Sequence, residues 1–342
     1  MRDLAREVLD GQEAWVVGGA VRDELLAREV LDLDIACRDP KGAARAYAKR
    51  SGGASFALSE RHGAWRVAMD DVRTVDFTPL PNGIEDDLAT RDFTLNAIAV
   101  PLAGGEAVDP FGGRRDLEQR VLRAVSSSVF ADDPLRLLRA VRLEDELGVR
   151  LDDGTERLVR EHAELVGRPA GERIYAELLR LSVGGLRRAA ELGLLEGLGG
   201  DASRLDRAGA VDTPRYRLVV AFGERLLDLP VPNELRRYAQ ALLRAEPPAD
   251  GSPRAIHRFR RQTEPWALDA LAYIGADEHA DAVREARERD PGEPLLRGHD
   301  LGVPEGPEVG RLLELVDEER AAGTITTREE ALELVRRELG TP

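Results

Sequence analysis

The sequence feature that most constrains the fold is a pair of glycines, Gly18 and Gly19, that follows the apolar residues 14–17. A short apolar run that stops at two glycines is typical of a buried strand that ends in a tight turn. A helical pattern covers residues 21–27, and a second predicted strand covers residues 31–36. The turn and the second strand therefore belong to one local unit, in the order strand, turn, helix, strand.

Two carboxylates lie on this second strand. Side chains alternate along a strand, so Asp32 and Asp34 face one side while Leu31, Leu33 and Ile35 face the other. Two carboxylates on one face repel each other, and a bound cation relieves that repulsion. Oxygen ligands of this kind suit Mg²⁺, which binds one or two carboxylates together with substrate phosphates.

The turn after the first strand exposes backbone N–H groups at the start of a helix, where a triphosphate can bind. The turn and the strand thus predict one site, with phosphates on the turn and metal on the carboxylates. Taken alone, Asp32 and Asp34 also fit a solvated edge strand, and the glycine pair also fits an ordinary turn. Together they resemble the signature of the nucleotidyltransferase superfamily.

Composition narrows the class of protein. A chain of 342 residues is long enough for two or three domains, and its single cysteine, Cys37, excludes a disulfide framework and a cysteine-ligated zinc site. No apolar run has the length of a membrane span, and residues 1–7 lack a signal-peptide core, so we expect a cytoplasmic protein. The net charge of −15 argues against non-specific nucleic-acid coating but allows a local basic groove.

Three further strands are predicted at residues 55–58, 65–69 and 72–77, which with the first two form a small mixed sheet. Asp76 is either a third carboxylate that faces the aspartate pair or a polar residue at a sheet edge. From Ser126 onward the strand signals nearly vanish, and the pattern becomes helical.

A second informative stretch begins with Asp133 as the predicted cap of a helix and Pro134 in its first turn. Asp133, Arg136, Arg139 and Arg142 recur every three residues and form one slowly drifting stripe. A stripe of this kind is often a solvated, salt-bridged face. Here three arginines to one aspartate leave positive charge that can reach a phosphate.

The motifs, in this order, resemble those of the class II tRNA nucleotidyltransferase and bacterial poly(A) polymerase family. Residues 172–179 are similar to its later helical motif, residues 298–331 are similar to its C-terminal domain, and residues 200–290 match weakly. The motifs that carry the resemblance are residues 18–23 (GGAVRD), 32–34 (DLD), 91–97 (RDFTLNA), 109–113 (DPFGG) and 133–142 (DPLRLLRAVR).

The resemblance implies an α+β protein. A nucleotidyltransferase head with the small mixed sheet occupies residues 1–125, an all-helical neck that reads the base occupies residues 126–190, and an all-helical body and tail that bind tRNA occupy residues 191–342.

The resemblance also implies residue roles. Asp32 and Asp34 are the catalytic residues and bind two Mg²⁺ ions, and Asp133 and Arg136 read the base of the incoming nucleotide. Arg139 and Arg142 are expected at phosphate or in the surroundings of the nucleotide. The full set of implied nucleotide-binding residues is Gly18, Gly19, Arg22, Arg91, Asp133, Arg136, Arg139 and Arg142.

The chain departs from the family pattern at two positions. Asp132 stands where the family usually has Glu, and we expect little effect because Asp133 keeps the base-reading position. Thr90 stands where the family usually has Arg, which removes one positive charge near the site.

The densest basic patch contains Arg254, Arg258, Arg260 and Arg261. It is either a solvated helix face or a contact surface for tRNA phosphates.

The expected reaction is template-free transfer of CMP, AMP or both from CTP and ATP to the 3′ end of tRNA. Rival interpretations are a poly(A) polymerase and an inactive RNA-binding relative. The intact pair Asp32 and Asp34 speaks against the second rival, because a pure RNA binder needs no metal site.

The sequence also carries a hypothesis about nucleotide choice. Family members that complete the whole CCA end resemble one another in a long flexible segment before the Arg-Asp-Phe motif. Here the interval from Phe77 to Thr90 holds fourteen residues, and Pro79 and Pro81 stiffen it. We therefore expect an enzyme that adds the two C residues and adds the terminal A poorly.

Overall fold

A computed structural model describes residues 1–59, 62–70, 72–290 and 292–340. The chain divides into two compact units, Met1–Leu198 and Gly199–Pro342. The predicted head and neck, residues 1–125 and 126–190, both lie in the first unit. None of the helices in the described ranges combines the length and the apolar character that crossing a membrane requires.

Strands occur almost entirely in the first part of the chain. The strands are β1 (Ala14–Val17), β2 (Asp32–Cys37), β3 (Ala54–Ser59), β4 (Ala64–Ala68), β5 (Thr74–Pro79), β6 (Ala99–Pro101), β7 (Val121–Leu122) and β8 (Arg150–Leu151).

The helices of the first unit come before, between and after these strands. They are α1 (Arg2–Val8), α2 (Gly19–Leu25), α3 (Pro40–Ser51), α4 (Ile84–Ala89), α5 (Gly113–Glu118), α6 (Val129–Asp132), α7 (Arg136–Leu147), α8 (Asp153–Glu161), α9 (Gly171–Leu178), α10 (Val183–Glu191) and α11 (Leu194–Gly197).

The second unit is helical throughout the residues that are described. Its α-helices are α12 (Pro214–Phe222), α13 (Asn233–Leu243), α14 (Pro253–Thr263), α15 (Ala267–Ile274), α16 (Ala280–Arg289), α17 (Pro307–Ala321) and α18 (Arg328–Glu338).

The predicted mixed sheet is confirmed. It has six strands in the order β3-β4-β5-β2-β1-β6, and β2 and β5 pair in parallel while the other neighbours pair antiparallel. The sixth strand, β6, was not predicted from the sequence. In the structure this segment makes one 3-10 turn at Thr94–Asn96 and then joins the edge of the sheet beside β1.

The two faces of the sheet differ in what covers them. Leu33 and Ile35 of β2 are buried on one face, where Tyr47 of α3 packs with its ring 5.8 Å from that of Phe77. The opposite face carries the aspartates of β2, as the alternation of the sequence predicted. Helix α3 therefore covers the back of the sheet and leaves the carboxylates on the other side.

A small hydrophobic cluster covers part of the carboxylate face. Val17 is the cross-strand partner of Asp34, and Ala36 lies two residues beyond it, so both share its face. This arrangement places apolar groups directly beside a carboxylate. The buried members of the cluster are Val17, Ala36, Leu80, Ile84, Leu88, Ala97 and Ala99.

Helix α5 lies against the 3-10 turn in unusually close backbone contact. Asp109 caps this helix, because its carboxylate accepts hydrogen bonds from the N–H groups of Gly113 (2.7 Å) and Arg114 (3.0 Å). The buried Asp116 accepts a 2.7 Å hydrogen bond from the Thr94 hydroxyl. The Asp-Pro-Phe-Gly-Gly motif thus fixes the segment that follows Arg91 to the rest of the first unit.

One helix start differs from the prediction. Helix α7 begins at Arg136, whereas Pro134 lies in a turn ahead of it. Asp133 has extended backbone geometry, and its side chain accepts a hydrogen bond from the N–H of Leu135 rather than capping a longer helix. The turn separates Asp133 from the helical stripe that the spacing predicted.

We expect Gly113→Ala to destabilise the first unit by about 2–4 kcal/mol, because an added Cβ would stand 2.1 Å from the Thr94 carbonyl oxygen. The control is Gly154→Ala on α8, where the added Cβ would be 3.5 Å from Asp152, an ordinary contact. That variant should be neutral or more stable by up to about 1 kcal/mol. Urea denaturation followed by circular dichroism tests both, and equal stabilities would contradict the expectation.

Candidate active site

The centre of the site is the aspartate pair on β2. Asp32 is exposed, and its carboxylate accepts a 2.7 Å hydrogen bond from the hydroxyl of Thr74 on β5. Asp34 is half-buried beside the hydrophobic cluster. Strand alternation therefore gives two carboxylates of different exposure on one face.

Burial raises the pKa of Asp34 to about 6, well above the ordinary value of 3.8. The Arg91 guanidinium opposes this shift, and the neighbouring charges of Asp76 and Asp32 add to it. The charged form of Asp34 is therefore unfavourable in this environment, and a bound cation would stabilise it. This property is expected of a metal ligand.

Asp76 lies next to the pair. It is the direct partner of Asp34 across the parallel β2–β5 ladder, so both side chains share one face, and it is only 9% exposed. Both of its oxygens are held by Arg66 of β4, with Nε–Oδ1 and Nη2–Oδ2 distances of 2.7 Å. The sequence left open whether Asp76 faces the aspartate pair or lies at a sheet edge. In the structure it lies inside the sheet, on the same face as Asp34, and it is buried and ion-paired.

The donor set fits a divalent cation that is also bound by substrate. Within the described ranges, no group of three or more His, Cys, Asp or Glu side chains is arranged to hold a metal ion. Asp32 and Asp34 supply two hard oxygen ligands, and substrate phosphates would complete the coordination, as Mg²⁺ sites commonly require.

Gly18 brings the turn close to the carboxylates. Its φ of 70° lies in the left-handed region, and an added Cβ would stand 3.2 Å from Nη1 of Arg91 and 3.4 Å from Oδ2 of Asp34. Only glycine satisfies both the backbone geometry and the space. Gly19 follows as the first residue of α2. The turn, Arg91 and Asp34 therefore border one small region.

Two of the predicted nucleotide-binding arginines, Arg22 and Arg91, already have hydrogen-bond partners within the protein. Arg22 donates hydrogen bonds to both oxygens of Asp23, at 2.9 Å each, and to Oδ1 of Asn96 at 2.7 Å. Arg91 donates from Nε and Nη2 to Asp87 on α4, which leaves Nη1 at the Gly18 turn. Arg91 is thus oriented toward the site, whereas Arg22 mainly links α2 to the 3-10 turn.

A buried carboxylate joins this region to α7. Asp92 is 6% exposed and accepts two hydrogen bonds from Arg139 (2.9 and 2.7 Å), one from Asn96 and one from the N–H of Phe93. Burial alone would raise the pKa of Asp92, but Arg139 and these hydrogen bonds outweigh it and hold the pKa below its ordinary value. Arg139 is therefore committed to Asp92.

The arginine stripe divides into residues with different surroundings. Arg142 is 5% exposed, and it donates to Glu177 of α9 (2.5 Å) and to Glu146 (2.8 Å). Glu177 also lies 3.6 Å from Arg139. Arg142 therefore packs inside the helical part of the unit, where its charge is balanced by carboxylates.

Asp133 and Arg136 occupy the more open end of the stripe. Oδ2 of Asp133 accepts a 2.8 Å hydrogen bond from Arg173 of α9, and Arg136 donates a 2.8 Å hydrogen bond to the Thr90 carbonyl oxygen. Both residues are half-buried. Arg136 thus contacts the backbone next to Arg91, whereas Asp133 contacts α9.

The basic patch of the second unit is ion-paired. Arg254 donates to both oxygens of Glu319 and Arg258 to both oxygens of Glu318, at distances between 2.5 and 3.0 Å. Arg261 lies 3.4 Å from Glu314. These pairs join α14 to α17, so most of the positive charge of the patch is compensated within the unit.

Arg260 completes the patch but makes different contacts. It pairs with Glu264 (2.9 Å) and Asp290 (3.2 Å), and it donates to the carbonyl oxygen of Ala286. All four arginines of the predicted tRNA patch therefore have partners in the free protein.

Sequence reasoning assigned no role to Arg66, Asn96, Arg173 or Glu177, although each holds a predicted site residue. Strand alternation places Arg66 on the carboxylate face, but its pairing with Asp76 depends on the register between β4 and β5. Asn96 lies i+4 from Asp92, which is a spacing that could have suggested the contact. The two α9 residues lie in the segment that resembles the family's later helical motif, but nothing local in the sequence indicated their partners, Asp133 and Arg142.

Known proteins match this chain in sequence and in fold. The poly A polymerase head domain family matches residues 14–80 and 64–123. An A-adding tRNA nucleotidyltransferase of Deinococcus radiodurans is 34% identical, and the alignment covers 95% of this chain and 95% of that protein. A CC-adding tRNA nucleotidyltransferase of Thermus thermophilus is 33% identical over 94% of this chain and 92% of the relative.

The chain belongs to the tRNA nucleotidyltransferase family. Over a shorter stretch, a CC-adding tRNA nucleotidyltransferase of Geobacter sulfurreducens is 47% identical, covering 50% of this chain and 40% of that protein. Membership of the family implies dependence on a divalent metal ion in general.

Solved structures of this family share the fold. The Thermotoga maritima CCA-adding enzyme in complex with tRNA has a TM-score of 0.71 at 23% identity and covers 98% of this chain and 95% of its own. A CCA-adding enzyme in complex with ATP has a TM-score of 0.77 at 21% identity, again covering 98% and 95%. At this identity the likeness establishes the α+β nucleotidyltransferase fold.

The raised pKa of Asp34 predicts a pH-dependent gain in stability for Asp34→Asn in metal-free buffer. The pKa of about 6 in the folded protein exceeds the ordinary 3.8, so the folded state loses stability as pH rises through this interval. Asp34→Asn removes that cost and should raise the free energy of unfolding by up to about 3 kcal/mol at about pH 7.5, and by about 1 kcal/mol at about pH 4.5.

Asp32→Asn is the matched control, because its carboxylate is exposed on the same strand. It should change stability by less than about 0.5 kcal/mol at either pH. Urea titrations at both pH values measure the difference, and an Asp34→Asn protein no more stable than wild type at neutral pH would contradict the assignment.

Proposed function

We propose that this protein transfers CMP, AMP or both from CTP and ATP to the 3′ end of tRNA without a nucleic-acid template. The observation that carries the proposal is the convergence of the Gly18 turn, Arg91 and the Asp32–Asp34 pair in one region of the head. The end-to-end relatives named as A-adding and CC-adding tRNA nucleotidyltransferases support the substrate class.

We propose that Asp32 and Asp34 hold two Mg²⁺ ions. When bound, the ions activate the RNA 3′-hydroxyl as nucleophile and stabilise the charge that develops at the α-phosphate while pyrophosphate leaves. The raised pKa of Asp34 means that its charged form is disfavoured, so a bound cation would stabilise this carboxylate strongly. The proximity of Asp76 supports an auxiliary role for its carboxylate, which Arg66 keeps oriented in the absence of substrate.

The remaining residues of the head bind and orient the nucleotide. The backbone N–H groups after Gly18 and the free Nη1 of Arg91 offer hydrogen bonds to the triphosphate. Arg22 fixes the turn by linking α2 to Asn96, which in turn donates to Asp92. Gly19 keeps the backbone accessible at the start of α2.

Asp133 and Arg136 are proposed to read the base. An aspartate acceptor and an arginine donor together recognise the hydrogen-bonding edge of a base, in place of a template. Arg139 acts in the surroundings of the nucleotide by fixing Asp92, and Arg142 acts only through the packing of α7 against α9. This assignment divides the predicted stripe into two reading residues and two supporting residues.

We propose a division of labour along the chain, with a catalytic head in residues 1–125, a base-reading neck in residues 126–190 and a tRNA-binding body and tail in residues 191–342. A cytoplasmic location is part of the proposal, since the substrates are tRNA and free nucleotides. Contact of Arg254, Arg258, Arg260 and Arg261 with tRNA stays a prediction, and their carboxylate partners would have to release them first.

Poly(A) polymerase activity is the less favoured alternative, because the full-length relatives are named as tRNA nucleotidyltransferases. An inactive RNA-binding relative is disfavoured by the intact carboxylate pair and by the space that Gly18 keeps free beside Asp34.

The direct test is incubation of the purified protein with labelled CTP or ATP, Mg²⁺ and tRNAs that lack one, two or three terminal nucleotides. Asp32→Ala and Asp34→Ala should each reduce transfer by at least about a hundredfold, because each removes one of the two proposed metal ligands while Asp76, the third carboxylate on this face, is held by Arg66. Asp3→Ala, which removes a carboxylate that is 93% exposed on α1, is the matched control and should retain full activity. Substantial transfer by either active-site variant would reject the metal assignment.

We further propose that the protein adds two C residues and adds the terminal A poorly. Strand β5 ends at Pro79 and α4 begins at Ile84, so residues 80–83 form the whole connection. Leu80, Ile84 and Leu88 are buried in the hydrophobic cluster, which anchors both ends of that connection. A connection this short, with both ends anchored, has little freedom to reshape a base-reading pocket. The pocket is therefore proposed to keep its specificity for one nucleotide.

A tRNA that ends in CC, offered ATP alone, tests this specificity. We expect A addition to be at least about tenfold slower than C addition to a tRNA that lacks CC, because the short connection cannot re-aim the pocket. Rates with CTP on the shorter tRNA serve as the internal control. Efficient A addition with efficient CTP use would indicate a full CCA-adding enzyme, and efficient A addition without CTP use would indicate an A-adding enzyme.

A further inference from the structure

One row of side chains crosses the head sheet from the catalytic pair to its far edge. Phe56 of β3 pairs with Arg66 of β4, Arg66 pairs with Asp76 of β5, and Asp76 pairs with Asp34 of β2. Directly paired residues point to the same face of a sheet. Phe56 therefore projects from the catalytic face, three strand spacings or about 14 Å from Asp34.

Phe56 is one of the few large hydrophobic side chains that the described part of the chain leaves exposed. It is 45% exposed, and Leu58, two residues along the same edge strand, is 46% exposed. A large aromatic side chain on an edge strand promotes unwanted association unless it has a partner, so its exposure suggests a binding role.

The direction of the reaction indicates which partner approaches this edge. The Gly18 turn ends β1, which borders β2 on one side, whereas β5, β4 and β3 extend from the other side. In phosphoryl transfer the attacking and leaving oxygens lie roughly in line across the reacting phosphate. We take pyrophosphate to leave toward the turn, which puts the in-line RNA 3′-hydroxyl on the side of β5, β4 and β3.

The charge along this path is compatible with RNA. Arg66 neutralises Asp76 by holding both of its oxygens, so a phosphate backbone passes an ion pair rather than a free carboxylate. At the end of the path an exposed aromatic ring offers a stacking surface, which is the usual way in which proteins hold unpaired bases.

We propose that Phe56, with Leu58 beside it, is a stacking platform for a base of the RNA substrate that precedes the 3′-terminal nucleotide. The proposal rests on the proposed function, since it uses the direction of nucleotide transfer. The distance of about 14 Å from Asp34 places the ring beyond the terminal nucleoside and under an earlier base. Phe56 binds RNA and takes no part in the chemistry.

Steady-state transfer assays with wild type, Phe56→Ala and Phe56→Trp test the platform. Phe56→Ala should raise the KM for tRNA by about fivefold to a hundredfold, the range that loss of one stacked base gives. Its kcat and its KM for CTP should stay within about twofold of wild type, and Phe56→Trp should restore binding. Leu25→Ala removes an apolar side chain that is 47% exposed on α2 and should leave all three constants unchanged.

Abasic tRNA substrates separate stacking from a general surface effect. One base is removed at a time from the last four nucleotides while the backbone is kept. At one of these positions, removing the base should raise the KM of the wild-type protein as much as Phe56→Ala raises it with intact tRNA. The same abasic tRNA should cause no further rise in KM for Phe56→Ala, because the ring and the base are then two members of one contact. An equal rise in both proteins at every position would overturn the proposal.

Two other outcomes are distinguishable. If wild type transfers no nucleotide to any tRNA, the proposed function fails before the platform is tested, and the platform fails with it. If wild type transfers normally but sediments as a dimer that Phe56→Ala dissociates, the edge strand binds a second copy of the chain and the RNA platform is overturned.

Discussion

The buried carboxylate of Asp92 is the interaction on which the arrangement of the first unit depends. A carboxylate taken out of water must be paired and hydrogen-bonded, and removing one partner of such a pair typically costs about 3–5 kcal/mol. Asp92 meets this requirement with four hydrogen bonds, from Arg139, Asn96 and the N–H of Phe93. Asn96 continues to Arg22 on α2, and Arg139 lies 3.6 Å from Glu177 on α9. Helices α2 and α7 are therefore joined by one network of ion pairs and hydrogen bonds.

The same electrostatic logic gives the aspartates of the head different roles. Asp92 has its charge fully compensated by protein, so its pKa is low and it serves structure. The negative charge of Asp76 is balanced by the Arg66 guanidinium, which donates hydrogen bonds to both carboxylate oxygens. Asp34 lies beside a hydrophobic cluster, and the neighbouring positive charges do not fully balance its own charge. Its pKa is therefore raised to about 6. A bound cation would balance this charge, which is why this carboxylate and not Asp92 is suited to a metal.

Arginine content is a poor guide to RNA contact in this chain. The sequence contains 49 Lys and Arg against 64 Asp and Glu, so most arginines can find a carboxylate partner within the protein. Arg254, Arg258 and Arg261 join α14 to α17 through glutamates, and Arg142 joins α7 to α9. By contrast, Phe56 carries no charge but lies exposed on the catalytic face. An arginine in this sequence therefore does not by itself predict a contact with RNA.

The sequence by itself determined the elements that depend on local patterns. Alternation along β2 fixed the shared face of Asp32 and Asp34, the glycine pair fixed the turn at Gly18, and the loss of strand signals after residue 126 predicted a mainly helical remainder. The short strand β8 lies inside the neck that was expected to be all-helical, because its two residues pair with the distant β7 and carry no local strand pattern. Tertiary structure decided what depends on register and on distant chain segments. It placed Asp76 opposite Asp34, paired Arg66 with Asp76, committed Arg139 to Asp92 and buried Arg142 against Glu177. A charged side chain gives the same local signal whether it faces water, a substrate or a buried partner, so the sequence could not distinguish these outcomes. That choice follows from which carboxylates the fold brings within hydrogen-bond distance and how far it removes them from water.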